Sequence, residues 1–234
     1  MRFPGSAGPR GGERPAQPFT GYKLAYAMLS ADGVRSGFAG LTLGSERVYG
    51  VSAEASCVWN RRHLPPRRWC GCGFYCLQAL SEARALGCAT DNRSALLIEV
   101  AASGRYIRYE RGLRYSRQRV RAIKDSRCGC GRPGKALADA GSGLIGWRHL
   151  APVCGHCAAG RPVLSLPEFT ALLDGPVPVE LTPAAPVAPV APAAPSGAML
   201  SGDAAAEQSP IAVLTAEIAL LHARLDDLQS RLDR

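Results

Sequence analysis

A chain of 234 residues with a net charge of +9, nine cysteines and 47% hydrophobic residues has room for one medium domain or two small ones. No run approaches the roughly 18 apolar residues of a membrane span, and no apolar segment follows the early charges as in a secretory signal, so the expectation is a cytoplasmic protein with no membrane partner. In a reducing compartment, an odd number of cysteines arranged as close pairs argues against a disulfide scaffold and for metal ligands.

Residues 1–19 begin MRFPGSAGPRGGERPAQP, rich in Gly, Pro and Arg with little to bury, and are expected to be a disordered basic arm. Residues 20–125 are expected to form an α+β domain, a small antiparallel sheet with one helix, stabilised by metal because its apolar core is modest. The runs YKLAYAML, GFAGLTLG and RVYGVSAEASCVW, broken at Asp32-Gly33 and Gly44-Ser45, read as its first strands.

The stretch RRHLPPRRWCGCGFYC, at 61–76, carries the first cluster of chemistry. Cys57, His63, Cys70 and Cys72 form a three-cysteine, one-histidine set of the kind zinc takes, with Cys76 as an alternative member. A catalytic thiol would need a base and an orienting carboxylate or amide, and no Asn or Asp stands suitably near Cys72 and His63. No catalytic residue is therefore assigned, and the chain is read as non-enzymatic.

Next, FYCLQALSEARAL at 74–86 has apolar residues at 74, 77, 80, 83 and 86 and then Gly87, a pattern that predicts a helix with its stop signal. ALLIEVAAS and GRYIRYE follow as two strands, with a turn predicted near Ser103 and Gly104.

From 101 to 135 there are eleven Lys or Arg against two acids, Glu110 and Asp125, a local surplus of +9 that equals the charge of the whole chain. Arg105, Arg108, Arg111, Arg114, Arg117, Arg119 and Arg121 are the candidate phosphate contacts, with Tyr106, Tyr109 and Tyr115 as stacking candidates. Arg61, Arg62, Arg67 and Arg68 add a second basic cluster. Such a field suits DNA or RNA without implying sequence specificity.

Residues 126–174 are expected to be a zinc-ribbon-like module. RCGCGRP and VCGHC supply Cys128, Cys130, Cys154 and Cys157 as two facing pairs, with Gly129, Gly131 and Gly155 at positions where a tight turn would use positive φ. An iron–sulfur cluster takes the same ligands and stays open at this point. A zinc deaminase is excluded, because Pro152 is displaced by one residue from P-C-x-x-C and no H-x-E precedes it.

Residues 175–210 form a Pro/Ala-rich linker, and 211–234 a predicted coiled-coil helix. There Ile211, Leu214, Ile218, Leu221, Leu225, Leu228 and Leu232 recur at alternating spacings of 3 and 4, an a/d seam that predicts a homodimer or higher homo-oligomer.

The order A-x-C at 55–57, H-x-x-P at 63–66, C-x-C-G-F-Y at 70–75 and ERGLRY at 110–115 resembles a loose group of uncharacterised actinobacterial proteins with a Cys/His and C-x-C-G-[IF]-Y arrangement. The resemblance spans about residues 20–125. It implies a shared small domain and a metal site there, and it implies no activity. This chain differs by carrying Cys76 where the group tends to have alanine, and by its second cysteine set and its tail. The expected function is a zinc-binding protein with two sites that contacts nucleic acid and self-associates. The alternative is a zinc-stabilised adaptor or structural assembly component that grips another protein.

Overall fold

A computed structural model of the chain describes residues 17–41, 47–57, 63–88 and 92–181. The arm at 1–16, the expected turn at Gly44-Ser45, Arg61, Arg62, most of the linker and the coiled-coil seam at 211–234 lie outside the described residues. Among the described residues the fold is mostly antiparallel sheet with a few short helices, an α+β arrangement in outline.

Strand β1 (Phe19–Ser30) organises the sheet because it changes partners halfway along. Its first half pairs with β5 (Leu96–Arg108), from Phe19 opposite Ala102 to Ala25 opposite Leu96. Its second half pairs with β2 (Ser36–Ala39) across the predicted Asp32-Gly33 turn, and with β8 (Trp147–Val153). β5 continues into β6 (Gly112–Ser126), and β6 in turn holds β3 (Ser52–Glu54) and β4 (Phe74–Leu77). Because Leu77 of β4 also pairs with Tyr22 of β1, strands β1, β5, β6 and β4 form a closed circuit of hydrogen-bonded neighbours. Closure protects those strand edges from pairing with other chains.

The helix predicted over 74–86 is split. Residues 74–77 form β4 against β6, and α1 (Leu80–Cys88) starts only afterwards, with Ala83 as its one buried residue. A short apolar run fits either state, and here the waiting edge of β6 supplies the backbone partners. The turn predicted at Ser103 and Gly104 is instead a bulge inside a continuous β5. Gly104 has φ of 76°, and a Cβ there would collide with Ser116 Oγ. The chain reverses later, with Tyr109 N–H donating to Gly112 O at 2.9 Å.

The boundary expected between 125 and 126 is not one, since β6 runs through it to Ser126. Beyond it, β7 (Ala136–Leu144) pairs with β8 and with β9 (Val163–Ser165), and two helices, α2 (Gly155–Ala158) and α3 (Leu166–Ala171), complete the set. Through β8 this part joins β1, and its Leu137, Leu150, Leu166 and Phe169 share one buried cluster with Phe38, Ile98, Val100 and Tyr115. Burying a side chain such as Phe169 contributes about 1.5–3 kcal/mol, so the two segments stabilise each other.

The start of the expected linker is also packed. Val177 is buried, Val179 bridges Ile123 in parallel, and Lys124 of β6 reaches both Glu99 at 3.2 Å and Glu180 at 2.9 Å.

Candidate metal centres

The first centre gathers side chains from three pieces of chain: Cys57 just after β3, His63 in the following loop, and Cys70 and Cys72 in the knuckle that leads into β4. Their ligand atoms all lie within 4.8 Å of one another. Cys57 Sγ is 3.7 Å from Cys70 Sγ, and His63 Nε2 is 3.2 Å from Cys72 Sγ. Two metal–sulfur bonds of about 2.3 Å at a tetrahedral angle place their sulfurs about 3.8 Å apart, so the set has the span of a single-ion cage. Burial pushes the Cys72 thiol up to about 11, so an incoming ion must displace a proton there.

The knuckle owes its shape to two residues. Gly73 has φ of 118°, and a Cβ on it would meet Arg114 Cγ at 3.0 Å and Pro66 Cβ at 3.2 Å. Arg114, only 4% exposed, donates through Nη1 to Cys70 O and to the Tyr75 hydroxyl, and through Nη2 to Arg67 O at 3.0 Å. Tyr75 then donates to Gly71 O at 2.9 Å. A guanidinium anchors the loop by satisfying carbonyls that the tight turn leaves over. Its positive charge would also offset the negative charge of thiolates if the set holds a metal ion.

Cys76 is no ligand of this centre. It sits on β4 inside the core cluster, and burial pushes its thiol up to about 11. Strand alternation turns it to the face opposite the exposed Tyr75.

The second centre joins Cys128 and Cys130, just after β6, to Cys154 and Cys157 at the end of β8 and in α2. These four ligand atoms also lie within 4.8 Å of one another, with Cys130 Sγ 3.7 Å from Cys154 Sγ. The backbone N–H of Cys157 is the main group holding the Cys154 thiol down to about 6. Of the three glycines expected to adopt positive φ, only Gly131 does so, at 86°, closing a turn in which its N–H donates to Cys128 O at 2.7 Å. Gly129 and Gly155 have open space around them and no positive φ, so the bite comes from the turn at Gly131 and from the short helix.

The basic window is rearranged by the fold. Tyr115 is wholly buried and Arg114 nearly so, hence neither can meet a ligand at the surface as expected. They belong to a stretch of β6, 112–115, buried on both faces: Tyr115 turns into the core cluster, and Arg114, on the other face, is covered by the knuckle whose carbonyls it binds. Arg111 and Arg117 are engaged by Glu82 and Glu54, each at 2.8 Å. Tyr106 is half-buried with its ring edge-on to Phe19 at 5.2 Å. Arg108 lies over the same Phe19 ring, and Arg119 and Arg121 alternate outward along β6. Among the described residues, Arg105, Arg108, Arg119 and Arg121 enter no ion pair.

An aromatic rim around the first centre emerges only in three dimensions. Trp69 is 88% exposed with the Arg68 guanidinium 5.7 Å from its ring. Tyr75 and Tyr109 are about half exposed and flank Arg114, whose guanidinium lies 5.7 and 5.8 Å from their rings. Lys23 is a further functional candidate that the motifs do not single out. In YKLAYAML it shares the odd-numbered strand face with Ala25, Ala27 and Leu29, all core residues, and that alternation is a readable signal.

Fold and site together define an antiparallel-sheet protein with a few helices and two Cys/His clusters spaced to hold metal ions. Compared with family models, curated proteins and solved structures, the chain matches none. Among the described residues no helix is long and apolar enough to cross a membrane.

Proposed function

We propose that this is a non-enzymatic zinc protein that binds DNA or RNA through the surface around its first metal centre. The observation that carries the reading is the grouping of exposed Trp69, Tyr75 and Tyr109 with Arg68 around the first knuckle, which the buried Arg114 braces from β6. Exposed rings interleaved with guanidinium groups stack bases, while neighbouring Lys and Arg side chains neutralise phosphates. Arg105, Arg108, Arg119 and Arg121 remain the phosphate candidates from the basic window.

Zinc is favoured over an iron–sulfur cluster because all four ligand atoms of each set lie within 4.8 Å of one another, the span of a cage around one ion, whereas a sulfide-bridged cluster would hold cysteines on different irons farther apart. Four protein ligands in each set would leave no open coordination position, which supports a structural role for the metal. Self-association through 211–234 would link two such heads and raise their avidity on a long polymer. The test is fluorescence anisotropy with labelled single-stranded and duplex oligonucleotides from 50 to 300 mM salt, alongside metal content and the 260/280 absorbance ratio of protein purified without chelator. Steep loss of binding with salt is expected, and salt-independent partitioning would reject the reading.

A second reading, an adaptor that grips a protein, is favoured by Leu64, which is 68% exposed on the same finger as Trp69. A defined assembly with a normal absorbance ratio and no oligonucleotide binding would select it.

A further inference from the structure

Behind the first knuckle lies a cavity of about 800 Å³, lined by Tyr22, Lys23, Tyr49, Phe74, Cys76 and Leu113 among others. That is within the about 300–1,000 Å³ of small-molecule sites. Its walls are predominantly aromatic and aliphatic, and Lys23 brings an amine to them from the core face of β1.

The amine is poorly matched by its protein neighbours. Its Nζ stands 5.2 Å from the Tyr49 ring centroid and 5.0 Å from that of Phe74. Its one hydrogen-bond acceptor is Gln118 Oε1, at a long 3.4 Å, and that oxygen also accepts from Tyr115 at 3.1 Å. Among the described residues no carboxylate pairs with Lys23, and the one acid lining the cavity, Glu54, is held by Arg117 at 2.8 Å. Nor can neighbouring groups serve as counter-anions. Burial pushes the Cys76 thiol up to about 11, and burial also holds the Tyr49 and Tyr115 hydroxyls well above the usual phenol range. Burial lowers the Lys23 amine to about 8, which leaves it an ammonium at neutral pH. The buried Tyr49 hydroxyl and Gln118 Nε2 make no hydrogen bond of acceptable geometry. A partly buried cation without a carboxylate partner is costly, and a ligand that supplies the anion reduces that cost.

We propose that this cavity binds a small organic monocarboxylate with an aromatic or aliphatic body, its carboxylate seated on the Lys23 ammonium and its apolar body against Tyr49 and Phe74. Of the other cations lining the cavity, Arg111 is paired with Glu82 and Arg47 donates to Ser56 Oγ, so Lys23, against the Tyr49 and Phe74 rings, is the one set to meet a single carboxylate, and the apolar walls select against small hydrophilic anions such as phosphate. Cys72, Tyr75 and Tyr109 also line the cavity, but Lys23 belongs to neither the ligand set nor the rim, so Lys23→Met is expected to leave oligonucleotide binding unchanged and the two readings are tested separately.

Isothermal titration of the full metal-loaded chain with 2-naphthoate and decanoate, against 2-naphthamide and decanol, tests this. The acids are expected to bind saturably at one per chain, and at least tenfold more tightly than their uncharged counterparts. Lys23→Met is expected to weaken the acids at least tenfold and leave the uncharged compounds unchanged. Absence of binding by either acid, equal binding of acid and uncharged counterpart to the unaltered chain, or undiminished acid binding by Lys23→Met would each overturn the proposal. The comparison on the unaltered chain decides the matter even if the variant fails to fold.

Discussion

Arg114, on β6, donates through Nη2 to the backbone carbonyl of Arg67 at 3.0 Å, which ties the first metal knuckle to the strand at the centre of the fold. A residue that sequence alone assigns to a phosphate-binding surface is thus a buried brace. Replacing it removes the donors to Arg67 O, Cys70 O and the Tyr75 hydroxyl at once.

Arg114→Leu is therefore expected to lower metal affinity at the first centre by about 10–100-fold, the usual loss when a group orienting the ligands is removed. The second centre, held by other turns, should keep its affinity. Chelator competition on the variant, read as two separate release phases, checks this; equal loss at both centres would count against the brace.

Metal stoichiometry separates His63 from Cys76. His63→Ala is expected to reduce the bound metal from two ions to one, whereas Cys76→Ala should retain both, because only His63 lies among the ligand atoms. Elemental analysis of dialysed protein gives the answer directly. A lost ion in Cys76→Ala with His63 intact would require a different first centre.

Lys23 should leave a mark on stability against pH. Its folded value, lowered to about 8 by burial from 10.5, means that the unfolded chain binds more protons than the folded one between those limits. Stability from this group is lowest below pH 8 and rises as pH climbs toward 10.5. Cys76, raised to about 11 from 9.0, acts oppositely above pH 9. The clean window is therefore pH 8 to 9, where the unaltered chain should gain stability in urea titrations relative to Lys23→Met. A parallel course of the two curves would contradict the burial of the amine.

Trp69, at 88% exposure, can be changed without touching the core. Trp69→Ala is expected to weaken oligonucleotide binding by about 1–3 kcal/mol, the worth of one stacked base, with an unchanged unfolding midpoint. Arg121→Ala should instead reduce the salt dependence by about one phosphate contact. Anisotropy titrations at several salt concentrations distinguish the two effects, and a Trp69→Ala chain that binds normally would remove the rim from the interface.

Much of the candidate site is legible in the sequence. Six of the eight candidate ligands stand out because they come as cysteine pairs with one or two residues between them, whereas Cys57 and His63, six positions apart, join Cys70 and Cys72 only through the fold. The same locality explains the Asp32-Gly33 turn between β1 and β2. Gly104 reads as a turn and proves to be a bulge because glycine serves both, and the choice is made by Ser116 on the opposite strand. Residues 74–77 read as helix and prove to be strand because nothing within the run reveals that β6 offers them an open edge.

Residue chemistry alone determined which atoms can hold a metal and how strongly the middle of the chain is charged, since ligand type and charge belong to side chains wherever they lie. Tertiary structure decided which of those charges face water. Arg114 was drawn inward because the knuckle covers one face of that end of β6, and Tyr115 because the core cluster covers the other, while Arg119 and Arg121 stayed outside where strand alternation resumes. It also placed Lys23 in a largely apolar cavity where, among the described residues, no carboxylate pairs with it, an arrangement that depends on strands far apart in sequence and so on register rather than composition.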